Sequence, residues 1–413
     1  MYWMVLEKNK ASFIVYELTM KKERENTGVI VIGDHVQALG IIRSLGRRGI
    51  PVYLLHDKNL CISRFSRYAT RFMRTPSPNN ESEFVNFMTV LAKKDQVRDW
   101  ILMPTNDEAV YTLSRHKETL EEYYRVSTPC WDIVKYAYNK RLTYQVAEKN
   151  GIPIPNTFYA ENLDEVREIS HDIDFPVIIK PAIADRFYKK TKIKVFKANT
   201  KDELIQAYIK ASSIIDSSEI MIQEIIPGSP DNLYSFCSLF KNRKVIGMCI
   251  GRRSRQRPMD FGNASTFVES VYVPELIELG TNLLSAMNYY GLSEVEFKKD
   301  TRDGKFKLLE INARTWLWHS LAISCGVDFP YLLYKDMNGE EIKPARSFRE
   351  NVKFVHIYTD LGVVIKEIMK GNMKLRDYVS SLKGEKEFAV FSLKDPLPFI
   401  AETLMLLYLW KTR

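Results

Sequence analysis

The sequence lacks several patterns that identify common classes of protein. Its five cysteines and six histidines are scattered and show no metal-ligand spacing. The odd, unpatterned set of cysteines favours reduced thiols in a cytoplasmic protein over a disulfide scaffold. No Ser-His-Asp or Cys-His arrangement points to nucleophilic catalysis. A structural zinc site, a disulfide framework and a triad hydrolase are therefore all disfavoured.

Long hydrophobic runs are also missing, and no segment has the length of a membrane span. Residues 1–27 end in a charged stretch and lack the order of a signal peptide, so we expect an extension packed on the first domain. The apolar run Pro398–Trp410 is followed by Lys411 and Arg413. It predicts a helix docked on the protein; an interfacial membrane helix is the less favoured alternative, because its polar face is thin.

The composition is that of an ordinary globular protein of two or three domains. The chain has 413 residues, of which 45% are hydrophobic and 27% charged, and its net charge is +9. A positive charge fits nucleic acid, a membrane surface or small acidic ligands. Because no Lys/Arg tract is concentrated enough for a nucleic-acid arm, we favour an enzyme that binds phosphates and carboxylates.

The first domain is predicted at residues 28–130 and begins with a strand–helix–strand pattern. The buried strand Gly28–Gly33 precedes a helical segment and a second strand, Val52–His56, which predicts a parallel sheet. The dinucleotide fingerprint G-x-G-x-x-G is absent after this strand, so NAD binding has little support. A further strand, Trp100–Pro104, precedes a helix for which Asn106 or Asp107 is the expected N-cap.

The middle of the chain has a mixed α+β order. A helix beginning at Lys140 is predicted to end at Gly151, and a strand to end near Lys180. Residues 182–191 are predicted as a polar loop, and several strands and helices follow. This order fits a nucleotide-clamping module. Beyond about Pro344 the composition becomes basic and helical.

Two adjacent strands near residue 300 carry the strongest chemical signal. Gly291–Lys298 and Lys305–Asn312 alternate as strands, and Asp300–Gly304 supplies the turn. Glu296, Glu310 and Asn312 then bring three hard oxygen donors together. Such donors suit Mg²⁺ beside phosphate oxygens. The alternative is a charged surface hairpin.

Taken together, these segments resemble the ATP-grasp superfamily, in particular its stand-alone carboxylate–amine ligases such as the D-aspartate ligases. The resemblance covers about residues 28–340 and rests on the order and spacing of several motifs. It implies an α/β and α+β fold: a Rossmann-like domain at 28–130, an ATP-grasp domain of two α+β lobes at 131–345, and a mainly helical C-terminal extension at 346–413. Residues 1–27 remain an N-terminal extension.

The resemblance also implies roles for individual residues. It implies ATP and two Mg²⁺ ions as cofactors. Lys140, within Tyr138-Asn-Lys-Arg, and Lys180, within Pro176-Val-Ile-Ile-Lys-Pro, match nucleotide lysines. The remaining matches are the adenine hinge, the ribose, the metal ligands and a catalytic arginine: Gln223, Glu224 and Ile226; Asp231; Glu296, Glu310 and Asn312; and Arg314.

Some of these matches have plainer explanations. Lys180 could be a solvated strand end, Asp231 a turn aspartate and Arg314 half of a buried ion pair. On the acceptor side the resemblance implies Arg252, Arg253 and Gly262 as substrate-binding residues. Because the two arginines alternate along a strand, only one can face the cleft. Lys298 could bind a substrate carboxylate or only solvate the sheet.

One segment departs from the family. The chain between Lys180 and Lys194 has no glycine, whereas family members close a small, glycine-rich loop over the phosphates there. A bulky basic loop could neutralise phosphate through Arg186, Lys189 or Lys190 instead. This difference concerns the closure of the site more than nucleotide binding.

The expected function is ATP-dependent joining of a carboxylate to an amine, through an acyl phosphate and with release of ADP and phosphate. The substrates are expected to be small carboxylates and amines such as amino acids. The protein could form a homo-oligomer. Two alternatives remain: phosphorylation or carboxylation without amine capture, and a regulatory module that binds Mg-ATP without turnover. No nucleic-acid partner is expected.

Overall fold

The computed structural model describes residues 27–259, 261–262 and 264–406. The predicted N-terminal extension, apart from Thr27, and the last residues of the apolar C-terminal run lie outside these ranges. Within the described ranges, no helix is both long and apolar enough to cross a membrane.

The described elements alternate along the chain. The strands are β1 (Val29–Ile32), β2 (Val52–His56), β3 (Arg71–Arg74), β4 (Ile101–Pro104), β5 (Arg125–Val126), β6 (Thr157–Phe158), β7 (Val177–Pro181), β8 (Phe196–Ala198), β9 (Ile220–Glu224), β10 (Leu233–Lys241), β11 (Lys244–Arg257), β12 (Ala264–Ser270), β13 (Gly291–Lys299), β14 (Phe306–Asn312), β15 (Lys353–Val355) and β16 (Lys386–Phe388). The helices are α1 (His35–Gly46), α2 (Glu81–Lys94), α3 (Asp107–Arg115), α4 (Lys117–Glu121), α5 (Trp131–Tyr138), α6 (Lys140–Lys149), α7 (Leu163–Asp172), α8 (Ala184–Thr191), α9 (Lys201–Ser212), α10 (Pro274–Ala286), α11 (His319–Ser324), α12 (Phe329–Met337), α13 (Ile357–Met369), α14 (Leu375–Ser381) and α15 (Leu397–Leu404).

The chain divides into two compact units. Unit 1 contains the described parts of residues 1–127, 330–342 and 391–413. Its sheet is parallel, with the order β3-β2-β1-β4-β5. The strand β1 is apolar and buried throughout, as expected for a parallel sheet covered on both faces. Asn106 caps α3 by accepting a hydrogen bond from the Ala109 amide (2.9 Å), which confirms the predicted cap.

Unit 2 contains residues 128–329 and 343–390 and holds two sheets. The smaller sheet has the order β6-β9-β7-β8 and is antiparallel. Helices α7 and α9 pack on it through an apolar cluster that includes Val166, Leu204, Ile179 and Ile222. This sheet places Lys180 near the end of β7 and Gln223 on the neighbouring β9.

The larger sheet of unit 2 has the order β14-β13-β10-β11-β12-β15-β16. All of its described pairings are antiparallel except β15 with β16. Helix α10 lies against β10, and a Cβ atom at Gly280 would overlap the ring of Phe236. Glycine is therefore required for this close approach of helix to sheet. The sheet carries the acidic hairpin β13–β14.

Two segments differ in secondary structure from the sequence-based expectations. Residues 184–191 form the helix α8, so the prediction of a loop at 182–191 was wrong. This mostly polar segment contains one aromatic residue that packs in the core. Phe187 is fully buried, and the centroid of its ring lies 5.3 Å from that of Phe196. The region after residue 345 was expected to be mainly helical. It also contains the strands β15 and β16, which extend the large sheet.

Candidate active site

The hairpin β13–β14 sets the geometry of the candidate site. Glu296 lies directly opposite Glu310, and Glu294 lies opposite Asn312. The turn between the strands is closed by a hydrogen bond from the Gly304 amide to the Asp300 carbonyl (2.8 Å). Because side chains two residues apart share one face of a strand, Glu294 and Glu296 point to the same side.

Asn312 connects the acidic side chains with Arg314. Its Nδ2 donates to Oε2 of Glu294 (3.0 Å) and to Oε1 of Glu296 (3.1 Å). Its Oδ1 accepts from Nη2 of Arg314 (3.2 Å). Burial and the adjacent Glu296 carboxylate raise the pKa of Glu294 to about 8. Glu294 is therefore mainly protonated at neutral pH and hydrogen-bonds the amide as a neutral acid.

The two predicted substrate arginines face different partners. Arg253 is buried and donates from Nη2 to Oε2 of Glu296. Arg252 pairs with Glu269 of β12 (2.6 Å) and is more exposed. Of the two, Arg253 is thus the one that contacts the acidic hairpin.

Lys140 reaches the same hairpin from the first position of α6. Asn139 caps this helix by accepting from the amides of Arg141 (3.0 Å) and Leu142 (3.4 Å). The Nζ atom of Lys140 lies 3.0 Å from Oε2 of Glu310. The Lys140 ammonium holds the pKa of Glu310 well below its usual range, so this carboxylate stays ionised.

Lys180 of β7 is buried beside Tyr144. Tyr144 lies on α6, one turn after Lys140. The Nζ atom of Lys180 donates to the Tyr144 hydroxyl (2.9 Å), which in turn donates to the carbonyl of Leu309 on β14 (3.0 Å). Burial, and secondarily the Lys140 charge, lower the pKa of Lys180 to about 7. Burial raises the pKa of Tyr144 to about 12, so it remains a neutral phenol. An anion bound beside Lys180 would raise the pKa of this lysine, and the amine would then be fully protonated.

A third lysine belongs to this electrostatic group. Burial lowers the pKa of Lys194, while the carboxylates of Glu310 and Glu296 act in the opposite direction. Lys194 lies two residues before β8, just after the helix that replaces the expected loop. Lys190, by contrast, donates to the carbonyl of Ile214 (2.9 Å).

The predicted adenine hinge follows β9. Gln223 is buried, and its Nε2 donates to Oγ1 of Thr157 on β6 (2.7 Å). The Glu224 carboxylate accepts from Lys307 (2.8 Å) and Arg302 (2.6 Å). Both side chains thus already have protein partners. Base recognition here would rest on backbone groups, including that of the buried Ile226.

Three predicted residues lie outside the bonds described so far. Asp231 is exposed in a short 3₁₀ turn, Pro230–Asn232, before β10. Lys298 is half-buried on β13, two residues past Glu296, and lies between Leu233 and Lys307 of the adjoining strands. A Cβ atom at Gly262 would overlap the carbonyl oxygen of Pro258, so this position needs glycine.

The oxygen donors of the hairpin fit a hard divalent cation. Glu296 and Glu310 face each other across the strands, and Asn312 offers an amide oxygen beside them. Carboxylate and amide oxygens are the protein ligands that Mg²⁺ prefers. In the described part of the chain, no three His, Cys, Asp or Glu side chains gather as a metal site. The candidate ligands are therefore two carboxylates and one amide. The remaining coordination positions of a bound Mg²⁺ would be filled by phosphate or water oxygens.

Sequence reasoning missed three members of the site. Tyr144 lies four residues after Lys140, on the same side of α6, and this spacing could have indicated it. Glu294 shares a strand face with Glu296 by simple alternation. Lys194 had no local signal, because its proximity to the hairpin depends on how the two sheets of unit 2 pack.

Known proteins share both sequence and fold with this chain, although no protein-family model matches it. D-aspartate ligase from Enterococcus faecium is 25% identical over 309 residues, which cover 71% of this chain and 72% of that protein. The L-amino acid ligase structure from Bacillus licheniformis has a TM-score of 0.58 at 16% identity and covers 76% of this chain and 74% of its own.

A third similar protein is the biotin carboxylase domain of 2-oxoglutarate carboxylase from Hydrogenobacter thermophilus, solved with MgADP, ADP and bicarbonate. Its TM-score is 0.62 at 17% identity, and the match covers 79% of this chain and 73% of that one. The D-aspartate ligase match confirms the resemblance inferred from the motifs, and the two structures confirm the mixed α/β fold class. The chain has the ATP-grasp fold and is similar in sequence to D-aspartate ligase.

Proposed function

We propose that the protein is an ATP-dependent carboxylate–amine ligase. A carboxylate oxygen attacks the γ-phosphorus of ATP, ADP leaves, and the resulting acyl phosphate is attacked by an amine. The amine loses a proton, phosphate departs and an amide bond remains. The observation that carries the proposal is the convergence of Lys140, Lys180 and Arg314 on the hairpin that bears Glu296 and Glu310. The similarity to D-aspartate ligase supports it.

The lysines would hold the nucleotide. Lys140 and Lys180 approach β14 from α6 and β7, and Tyr144 orients the Lys180 amine by a hydrogen bond. Lys180 would become fully charged beside phosphate, because a nearby anion reverses the effect of burial on its pKa. Backbone groups from Glu224 to Ile226 would bind the adenine, and Asp231 the ribose.

Glu296, Glu310 and Asn312 would hold Mg²⁺, and two ions fit the expectation from the family. When bound, Mg²⁺ neutralises phosphate charge and aligns the transferred group. The carboxylates are now paired with Arg253 and Lys140, and a bound Mg²⁺ would take the place of these cations beside them. Arg314 would stabilise the negative charge of the transferred phosphoryl group, because its guanidinium is fixed beside Asn312.

The substrate side is proposed around the buried Arg253, with Gly262 allowing close backbone approach. A guanidinium suits bidentate capture of a carboxylate, so Arg253 would bind the acid to be activated. Arg252 and Lys298 would act at the edge of the site. Amino acids satisfy both substrate classes, since they carry a carboxylate and an amine.

Several finer assignments also belong to the proposal. We assign residues 28–130 to a Rossmann-like domain, 131–345 to the ATP-grasp domain, and 1–27 and 346–413 to extensions, of which the second is mainly helical. The five free cysteines support a reducing, cytoplasmic location. A homo-oligomer stays a prediction, and contact of the C-terminal helix with a membrane surface is the less favoured alternative.

The test is Mg²⁺-dependent ADP formation in the presence of pooled amino acids. The ligase proposal predicts that ADP and phosphate accumulate only when both a carboxylate and an amine are supplied. Amine-independent ADP formation would instead indicate a kinase or carboxylase. Nucleotide binding without turnover on any pool would favour a regulatory module, and AMP in place of ADP would contradict the proposed mechanism.

A further inference from the structure

Unit 2 exposes two rows of apolar side chains far along the chain from the candidate active site. On α13, Leu361, Ile365 and Met369 are 42%, 50% and 83% exposed. On α14, Leu375 and Val379 are 64% and 56% exposed. In each helix these residues recur every four positions and therefore share one side. We call these five side chains the apolar rows. Exposed apolar residues in a continuous row, unlike scattered ones, indicate an interaction surface.

The opposite sides of both helices are held to the protein by one buried arginine. Asp360 of α13 accepts two hydrogen bonds from Arg255, each 2.8 Å long. Ser381 of α14 accepts a third from the same guanidinium (3.0 Å). Asp360 is completely buried, and Val363 and Val364 are buried on the same helix. The apolar rows are therefore fixed on the outside of an anchored pair of helices.

Basic side chains surround these rows. Between residues 357 and 386, the exposed side chains that carry positive charge are Lys366, Lys370, Lys374, Arg376, Lys383 and Lys386. The exposed acidic side chains of the same described range are Asp377 and Glu385, and Glu385 is paired with Arg349 (2.7 Å). Lys370 is likewise paired, with the buried Glu367 (2.9 Å). The other five cations still outnumber Asp377, so the surface around the apolar rows is positive.

An anionic membrane surface would suit both the apolar rows and the basic side chains around them. Apolar side chains on one side of a helix enter the boundary between headgroups and acyl chains, while flanking lysines bind anionic headgroups. A symmetric contact between two copies of this chain is less suitable. In such a contact the same lysines would face each other, and like charges oppose association.

We propose that the apolar rows and their basic border form a docking surface for membranes that contain anionic lipids. The surface lies on α13 and α14, and is distinct from the apolar C-terminal run. It would bring the protein to the surface of a bilayer. The proposal is independent of the ligase activity, because none of these residues belongs to the candidate active site.

The experiment measures partitioning of the full chain onto vesicles by co-sedimentation. Vesicles of phosphatidylcholine mixed with phosphatidylglycerol are compared with vesicles of phosphatidylcholine alone, at low and high ionic strength. We expect binding to the mixed vesicles, little binding to the neutral ones, and weaker binding at high salt. Absence of binding to mixed vesicles at low salt would overturn the proposal.

Paired variants locate the surface. Lys366→Gln with Lys374→Gln should weaken binding about 30-fold, since each lysine near an anionic surface contributes about 1 kcal/mol and about 1.4 kcal/mol is tenfold. Ile365→Gln with Met369→Gln should weaken it at least about tenfold. The matched controls Lys149→Gln with Lys244→Gln, and Ile209→Gln, change exposed residues elsewhere in unit 2 and should bind normally.

The remaining outcomes contradict the proposal. Unchanged binding of both paired variants would place membrane contact elsewhere, for example in the C-terminal run. If the wild type does not bind vesicles but light scattering shows a dimer that Ile365→Gln with Met369→Gln dissociates, a second copy covers the surface. Thermal melting of every variant checks that each remains folded.

Discussion

Replacing Lys180 with methionine should stabilise the free protein and weaken its binding of nucleotide. The side chain is 9% exposed, and its burial lowers the pKa from 10.5 to about 7. At about 1.4 kcal/mol per pH unit, this change corresponds to a cost of about 5 kcal/mol for holding the charged lysine in the fold. Tyr144 keeps its bond to the Leu309 carbonyl in the variant, so no buried hydroxyl loses its acceptor.

The sign of the pH dependence follows from the lowered pKa. Below about pH 7 the lysine is charged in both the folded and the unfolded chain, and the full cost applies. As the pH rises from about 7 toward 10.5, the folded lysine is neutral while the unfolded one still binds a proton, and the cost declines. The advantage of Lys180→Met should therefore be large at acidic pH and small at alkaline pH.

Methionine fits the site imperfectly and loses the hydrogen bond to Tyr144, so we expect a net gain of about 1–3 kcal/mol at acidic pH. This gain should raise the melting temperature by several degrees. Nucleotide affinity should fall by about 30- to 1,000-fold, because a charge-assisted bond to phosphate is lost. Differential scanning fluorimetry of the apo protein and calorimetric titration with MgADP measure the two effects.

Lys149→Met is the matched control, since Lys149 is an exposed lysine on the same helix as Lys140. It should change neither stability nor nucleotide affinity. The reasoning would be refuted if Lys180→Met melted at a lower temperature than wild type at acidic pH and still bound MgADP normally. That result would make Lys180 a structural residue rather than a nucleotide ligand.

Three further changes separate catalysis from stability. Asn312→Ala should reduce turnover at least about 100-fold while the protein remains folded; normal ADP formation would exclude the metal assignment. Arg314→Lys should lower kcat about 100-fold while MgADP affinity stays near wild type, and a loss of affinity alone would remove its transition-state role. Asp360→Ala should cost about 3–5 kcal/mol of unfolding free energy, because it leaves Arg255 buried without its carboxylate. Arg167→Ala, which breaks an exposed helical pair, should cost less than about 1 kcal/mol by the same denaturation measurement.

The acidic hairpin could be predicted from sequence because its signals are local. Alternation identifies the strands, and the turn residues from Asp300 to Gly304 fix which side chains face each other. Glu296 and Glu310 are therefore brought together by a pattern confined to one hairpin, from Gly291 to Asn312. The caps of α3 and α6 are equally local, since Asn106 and Asn139 bond amides two or three residues away.

The remaining members of the site depend on contacts between distant segments. Lys180 and Tyr144 meet only because α6, β7 and β14 come together, so the depressed pKa of Lys180 has no signature in the local sequence. The helix α8 was missed for a similar reason. Its polar composition suggested a loop, but the burial of Phe187 against Phe196, a tertiary contact, accompanies helix formation.

Trapping with hydroxylamine tests the central claim most directly. The protein is incubated with MgATP, pooled amino acids and hydroxylamine, and hydroxamate and ADP are quantified together. If a carboxylate is activated as an acyl phosphate, hydroxamate should form in step with ADP and be lost with Asn312→Ala. ADP without hydroxamate, or AMP with pyrophosphate, would contradict the account.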